Sequence, residues 1–547
     1  MKPSSIKLHP RDNVAVALTN LRKNVQVIVE DSRIILVDDI QIKHKFSLVN
    51  LEIADEIIMY GVLVGKVKYP IPEGGLLSTF NVEHASRDFK IHQTSFTWNK
   101  PDTTLFKNST FNGYHRADGR VGTANYWLVI PLVFCENRNI EELESALVDQ
   151  LGYGRSNKYS RFTQALLAHY KNGQETGELS SDTYSIDEPE RIVFPNLDGI
   201  KFLKHSGGCG GTRDDAQSLC ALLAGYITHP NVAGVTVLSL GCQNAQVSLL
   251  EYEIKKRDPE FSKPCIILEQ QQIGKSDDLL VMAISKTLSG IISIRGQKRV
   301  PAPLSKLCIG LECGGSDGFS GISANPAIGY TSDLLVALGA SVILSEFPEL
   351  CGVEQNLIDR CIDPGQAERF ELLMKTYNTR AHAAGSGFEM NPSPGNIRDG
   401  LITDAIKSAG AAKKGGTSPV TGVLDYTDQV RNPGLNLLCT PGNDVESTTA
   451  EVGSGANIVL FTTGLGTPTG NPIVPVIKIA TNTSLFERMP DIIDLNTGTI
   501  IEGSETIEQA GERILNYLIS VASGDIKVAA VINGQADFIP WKRGVSL

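Results

Sequence analysis

His205-Ser206-Gly207-Gly208-Cys209-Gly210-Gly211-Thr212-Arg213 sets a thiol and an imidazole on a backbone that four glycines leave almost bare. Glycine lets the chain approach a ligand closely. Thr212 is placed to cap a helix whose first turn carries Asp214 and Asp215, and whose Leu219, Leu222, Leu223 and Tyr226 recur at helical spacing. The loop therefore empties into a helix N-terminus, a position that favours anions. Two further stretches repeat the plan. The apolar run 307–311 leads into Glu312-Cys313-Gly314-Gly315-Ser316-Asp317-Gly318, and the run 235–240 ends in Gly241-Cys242-Gln243-Asn244. Short buried-type runs that end in glycine and alternate with helical patterns read as parallel strands covered on both faces, which is α/β architecture. Ligands in such folds collect at the carboxyl ends of the strands.

Working outward, further runs of this kind fall at 126–133, 266–268, 341–344, 458–461 and 529–532. Between them, Ile507, Ala510, Ile514, Tyr517, Leu518 and Val521 form one helical stripe that Gly524 stops. Residues 1–97 read differently, as short strands separated by turns, with one early helix expected over 13–21. Asn99-Lys100-Pro101-Asp102-Thr103-Thr104 is polar and marks a linker over 98–110. The expected organisation is thus a small β domain over 1–97, a central α/β domain over 111–300 and a C-terminal α/β domain over 301–547. The stretch 375–420, rich in Gly, Ser, Pro and Asn, reads either as an ordered loop over the site or as a connection.

With 547 residues, the chain is too long for one core. Its formal net charge of -11 argues against a nucleic-acid or anionic membrane surface, both of which want basic patches. The first residues, Met1-Lys2-Pro3-Ser4-Ser5-Ile6, lack the apolar core of a signal peptide, and no apolar run is long enough for a bilayer, so a cytoplasmic location is expected. Ten cysteines are too few for a disulfide framework in a chain of this length, and no Cys-x-x-Cys pair suggests zinc. Cys209, Cys242 and Cys313 stand apart because glycine flanks each. Three thiolates match the count that an iron–sulfur cluster with one open iron requires, and a mononuclear Fe2+ site is equally compatible. The alternative is that all three simply pack.

His205 is a candidate general base or metal ligand, set against the ordinary reading of a hydrogen-bonded core histidine. Glu312 and Asp317 are candidates for a base or a metal ligand. Arg120 and Arg213 have the fork geometry for a carboxylate, although pairing with Asp118 or Asp214 explains them as well. Ser316 offers a hydrogen bond, and Lys45 and His115 are weaker candidates.

Taken in order, Asp12-Asn13-Val14-Ala15-Val16-Ala17-Leu18, Gly113-Tyr114 with Asp118-Gly119-Arg120-Val121-Gly122-Thr123, the loop 205–211, His229-Pro230-Asn231, Cys313-Gly314-Gly315-Ser316-Asp317-Gly318-Phe319-Ser320-Gly321, the stretch 391–396, Lys414-Gly415-Gly416-Thr417 and Phe461-Thr462-Thr463-Gly464 resemble the altronate and galactarate dehydratase family. The resemblance covers nearly the whole chain. It implies an N-terminal β domain of the SAF (β-clip-like) type, two α/β portions, and iron-dependent removal of water from a sugar acid; a homo-oligomer is the default expectation for a cytoplasmic enzyme. Altronate would give 2-dehydro-3-deoxy-gluconate, an intermediate of hexuronate catabolism; a galactarate dehydratase or a related C–S lyase would use the same scaffold. One departure stands out: where the family's N-terminal domain offers a His-x-His-Asn-like segment, this chain reads Ser78-Thr79-Phe80-Asn81. A non-catalytic metal- or ligand-binding protein would tolerate that loss. A nicotinamide enzyme is disfavoured, because residues 314–321 lack a clean Gly-x-Gly-x-x-Gly opening a helix.

Overall fold

Two parallel sheets carry the molecule. The computed structural model describes residues 3–91, 96–155, 158–172 and 192–547. The central sheet has four strands in the order Gly199–Phe202, Tyr126–Pro131, Val232–Ser239, Cys265–Glu269, all parallel. The larger sheet has seven, in the order Val420–Leu424, Gly434–Leu438, Ser341–Leu344, Cys308–Cys313, Ile458–Thr463, Val476–Ala480, Leu495–Asn496, again all parallel. Their central strands are buried at every position because helices cover both faces.

The helices Asn137–Leu147 and Ser276–Ile294 bury Ile140, Leu143, Ala283 and Ile291 against Trp127 and Val129 on one face of the central sheet. On the other face lies helix Arg213–Thr228, capped by Thr212, whose Oγ1 accepts from Asp215 N. This helix and its sheet share one continuous core with the seven-stranded sheet, joining Leu128, Leu222 and Tyr226 to Leu311, Val459 and Leu460. The two α/β portions are fused rather than linked. The strand Val300–Pro303 pairs antiparallel with Thr110–His115, in a small sheet separate from the two parallel ones.

The N-terminal part is a set of small antiparallel sheets, as the turn-rich reading predicts. The expected helix over 13–21 is instead the strand Val14–Ala17, paired with Ser5–Ile6 and Lys45–Ser47. The physical reason is alternation: Val14 and Val16 enter one core, while Ala15 and Ala17 enter a second. The first of those cores includes Phe319, Ile322, Ile402 and Ile406, so the β domain is docked on the C-terminal portion. Residues 529–532, expected as a strand, form the helix Ala529–Asn533, closed by Gly534 in the left-handed region at φ 68°. The stretch 375–420 is ordered, with helices Pro364–Ala383, Pro394–Arg398 and Asp404–Ala411. Among the described residues no helix is long and apolar enough to cross a membrane.

Candidate functional site

The quoted motifs of the C-terminal portion converge at the carboxyl ends of its parallel sheet. Strand Cys308–Cys313 delivers Glu312 and Cys313, and its neighbour Ser341–Leu344 delivers Ser345 and Glu346 in register. Glu346 adopts φ 61°, ψ 60°, a left-handed conformation costly for a residue with a side chain and typical of functional sites. Glu349 follows in a short turn of helix, and Lys407 and Lys414 arrive from the helical stretch 404–415.

These groups form a buried ionic centre. Lys414 Nζ donates to Glu346 Oε2 at 2.6 Å and to Cys313 Sγ at 3.0 Å. Lys407 Nζ lies 2.7 Å from Glu349 Oε1 and donates to Asn391 Oδ1 at 2.7 Å. The Cys313 thiol donates to Glu349 Oε2 at 3.2 Å. Burial, then Glu346 and Glu349, push the Cys313 thiol well up and keep it protonated. Burial opposes the charge on Lys414, but its contacts with the Cys313 sulfur and the Glu346 carboxylate outweigh it and hold the ammonium well above its usual value. For Glu349, burial is likewise outweighed, here by Lys407 and Lys414, and the carboxylate is held ionised. Glu312 is the reverse case: burial, then the Glu346 and Glu451 carboxylates, push it well up, so it sits in the cluster as a neutral acid.

Asp444 stands at the edge of this centre. It opens helix Asp444–Ser454, is half-buried, and has no side-chain partner among the described residues. Burial, then Glu346 and Glu349, push its carboxyl up to about 7, in the range that suits proton transfer at neutral pH. A side chain at Gly314 would run into the Asp444 carboxylate, which is why the loop after Cys313 needs glycine there.

The other predicted residues take varied places. Asp317 is buried and saturated: it accepts from Phe319 N, Ser320 Oγ, Thr481 Oγ1 and Asn482 Nδ2, and pairs with Lys43 Nζ at 2.9 Å. It clasps the β domain rather than offering a free base. Lys45 is buried in the same clasp, donating to Gly400 O at 2.6 Å, with burial lowering its ammonium to about 7. Ser316, which precedes Asp317, is buried with its Oγ unpartnered among the described residues. His205 has both ring nitrogens engaged by backbone, Nε2 on Pro131 O at 2.7 Å and Nδ1 accepting from Gly207 N at 3.1 Å. Burial lowers it to about 4, so it is a neutral brace with no nitrogen free for a substrate proton. Arg120 pairs with Asp118 and donates to Thr228 O, which ties a loop. Arg213 is exposed on the first turn of its helix. His115 is exposed, its Nε2 3.2 Å from Pro301 O. At the altered segment, Phe80 is exposed and stacks on Tyr69, and Asn81 ties the turn by accepting from Ser78 N and donating to Leu76 O.

The expected thiol trio divides. Cys313 belongs to the seven-stranded sheet and its contacts are the carboxylates and Lys414, whereas Cys209 and Cys242 sit on loops of the central sheet. Cys313, Glu346 and Glu349 bring one sulfur and two oxygens within 4.8 Å of one another, a donor set that suits a divalent ion. Lys414 already rests against two of those three groups, so the cation of this centre is the lysine, and the set does not fit a resident iron. Sequence reading missed Glu346, Glu349, Lys407 and Asp444. The one signal available was their position just past strand candidates or beside the 391–396 and 414–417 motifs.

Comparison with known proteins completes the picture. The chain matches the altronate/galactarate dehydratase SAF domain over residues 3–85, the D-galactarate dehydratase/altronate hydrolase second domain over 113–291, and the D-galactarate/altronate dehydratase C-terminal domain over 304–546. It is 32% identical over 547 residues to altronate dehydratase of Bacillus subtilis, with 100% of both chains covered. It is 30% identical over 535 residues to galactarate dehydratase (L-threo-forming) of Escherichia coli, covering 95% of this chain and 93% of the relative. To (2R)-sulfolactate sulfo-lyase subunit beta of Chromohalobacter salexigens it is 27% identical over 436 residues, 79% of this chain and 97% of the relative.

Proposed function

The chain belongs to the D-galactarate/altronate dehydratase family, a family of sugar-acid hydro-lyases, and from that premise we propose that it removes water from altronate to give 2-dehydro-3-deoxy-gluconate in hexuronate catabolism. The observation that carries this reading is the ionic centre of Glu346, Glu349, Lys407 and Lys414, with Asp444 at its edge. Identity to an altronate dehydratase along the entire chain favours altronate over galactarate, and the sulfo-lyase subunit matches only 79% of this chain.

Dehydrating a 2,3-dihydroxy acid requires removal of the proton beside the carboxylate and departure of the neighbouring hydroxyl. Asp444, titrating near 7, is the group that takes the proton and returns it to the leaving oxygen. Lys407 spends two of its three donors on Glu349 and Asn391, and the third is available to a substrate carboxylate. Glu349 and Glu346 hold the two ammonium groups in place, and Glu312, kept neutral, avoids a further charge in the pocket. Iron, when bound, supplies a Lewis acid for an oxygen that gains charge. The donors that fit it are thiols of the central sheet, not Cys313.

Purified protein given altronate should release a 2-keto acid, and Asp444→Asn should abolish that release while the fold is kept. Release from galactarate alone would move the substrate within the family. Turnover by Asp444→Asn at the wild-type rate would remove Asp444 from the mechanism.

A further inference from the structure

The central sheet brings three cysteines to one edge, and none belongs to the ionic centre. Strands Gly199–Phe202, Tyr126–Pro131 and Val232–Ser239 are consecutive neighbours and parallel. Their carboxyl ends therefore lie side by side, each about 4.8 Å from the next. The loop after the first carries Cys209, the loop after the second Cys135, and the loop after the third Cys242. The loops are stitched to one another. Phe134 N donates to Gly207 O at 3.0 Å, Ala245 N to Gly208 O at 3.1 Å, and Asn244 Nδ2 to Cys209 O at 2.8 Å. Gly208 turns with φ 99°, and a side chain there would run into the backbone of Leu132 and Val133. Each cysteine is thus within a residue or two of a bond that fixes its loop to another. Cys209 and Cys242 are also among the groups whose charge bears on the Cys135 sulfur.

We propose that Cys135, Cys209 and Cys242 hold an iron–sulfur cluster of the four-iron type, with the fourth iron left without a protein thiolate. Three features choose this ligand. All three donors are thiols, which suit iron–sulfur clusters, and among the described residues the three sulfurs do not all lie within 4.8 Å of one another, so they are spaced for a body larger than a single zinc ion. A side-chain hydrogen bond reaches these sulfurs from a neutral donor, Gln271 Nε2 to Cys242 Sγ at 3.2 Å, and among the described residues no lysine or arginine donates to them as Lys414 does to Cys313. A cavity of about 400 Å³ opens beside Cys209, lined in part by Phe134, Ser206, Thr212 and Lys542, and gives an open iron room for an oxygen ligand. Ligation is an acid–base exchange. Each thiol yields its proton to solvent as the sulfur bonds iron, with no change of oxidation state. The use of the cluster as a Lewis acid rests on the hydro-lyase reading; its assignment to these residues does not.

The test uses the full chain purified without oxygen, with iron, acid-labile sulfide and the paramagnetic resonance of the reduced protein measured beside circular dichroism. About four irons and four sulfides per chain are expected in the wild type, in Cys313→Ser and in Asp444→Asn. Cys135→Ser, Cys209→Ser and Cys242→Ser should each lose cluster affinity about ten-fold or more with unchanged dichroism. Full sulfide in any of those three variants, its loss from folded Cys313→Ser, iron without sulfide, zinc in place of iron, or a disulfide between two of the three would each overturn the assignment. Loss of keto-acid release with the cluster intact would instead count against the hydro-lyase reading.

Discussion

Lys414→Met isolates the role assigned to the buried lysine. Its side chain is about 1% exposed and its ammonium lies 2.6 Å from Glu346, which is equally buried. Solvent screens neither charge, and removing one partner of such a pair costs about 3–5 kcal/mol. The pH dependence has a defined sign. Lys414 has a folded-state pKa above its usual value, so its contribution is complete below about 10.5 and is lost only as pH rises through the higher folded value. In the variant the unpaired Glu346 is the source of the penalty. Burial, then Glu349, already raise it in the wild type, and without Lys414 it rises further. The penalty should therefore be largest at neutral and alkaline pH and shrink as pH falls and Glu346 takes up a proton. Urea denaturation of both proteins between pH 5 and 9, with midpoint and slope recorded, measures it. The variant also frees the sulfur and two oxygens of Cys313, Glu346 and Glu349, so a divalent metal at about 100 times its Kd should restore about 2.7 kcal/mol. A variant as stable as the wild type at pH 8, or one whose penalty grows on acidification, would rule out a buried Lys414–Glu346 pair of this kind.

Three other outcomes follow from the same geometry. The Asp444 carboxyl, pushed up to about 7, should give kcat/KM an ascending limb near that pH as the base ionises, and Asp444→Asn should lower kcat by about 10²-fold or more without changing the melting temperature. Glu451 accepts from Leu311 N and Ser345 Oγ on one oxygen and leaves the other unpartnered, with burial raising it to about 8. The folded chain binds that proton more tightly, so stability falls as pH rises from the usual carboxyl range toward 8; Glu451→Gln should flatten this dependence and be the more stable protein at pH 9. Asp317→Asn should loosen the clasp on Lys43 at a cost of about 1.5–3 kcal/mol, and limited proteolysis should then release the N-terminal β domain sooner.

Much of the fold was legible because buried parallel strands are short apolar runs with glycine at their carboxyl ends, and the runs at 126–133, 235–240, 307–311 and 458–461 all became strands of the two sheets. Strand order was not legible. Nothing local says that Ser341–Leu344 lies beside Cys308–Cys313, yet that adjacency is what places Glu346 against Cys313 and Lys414. The same gap explains the thiols. Cys313 looks like Cys209 and Cys242 because glycine flanks all three, but it rides on a different sheet. Cys135, which follows Phe134 with no glycine beside it, reaches the right edge only through the order of the central strands. Residues 13–21 misled for a different reason: a run rich in Ala, Val and Leu fits a helix or a strand buried on both faces, and only the two cores that Val14 and Ala15 enter separate them.

Dehydration of a sugar acid is measured most directly as 2-keto acid release from altronate and from galactarate by protein purified without oxygen and assayed for iron in the same sample. The iron-bearing wild type should release the keto acid from altronate, and Asp444→Asn should release it at least about 10²-fold more slowly. An iron-bearing, folded wild type that leaves both acids unchanged would contradict the hydro-lyase reading.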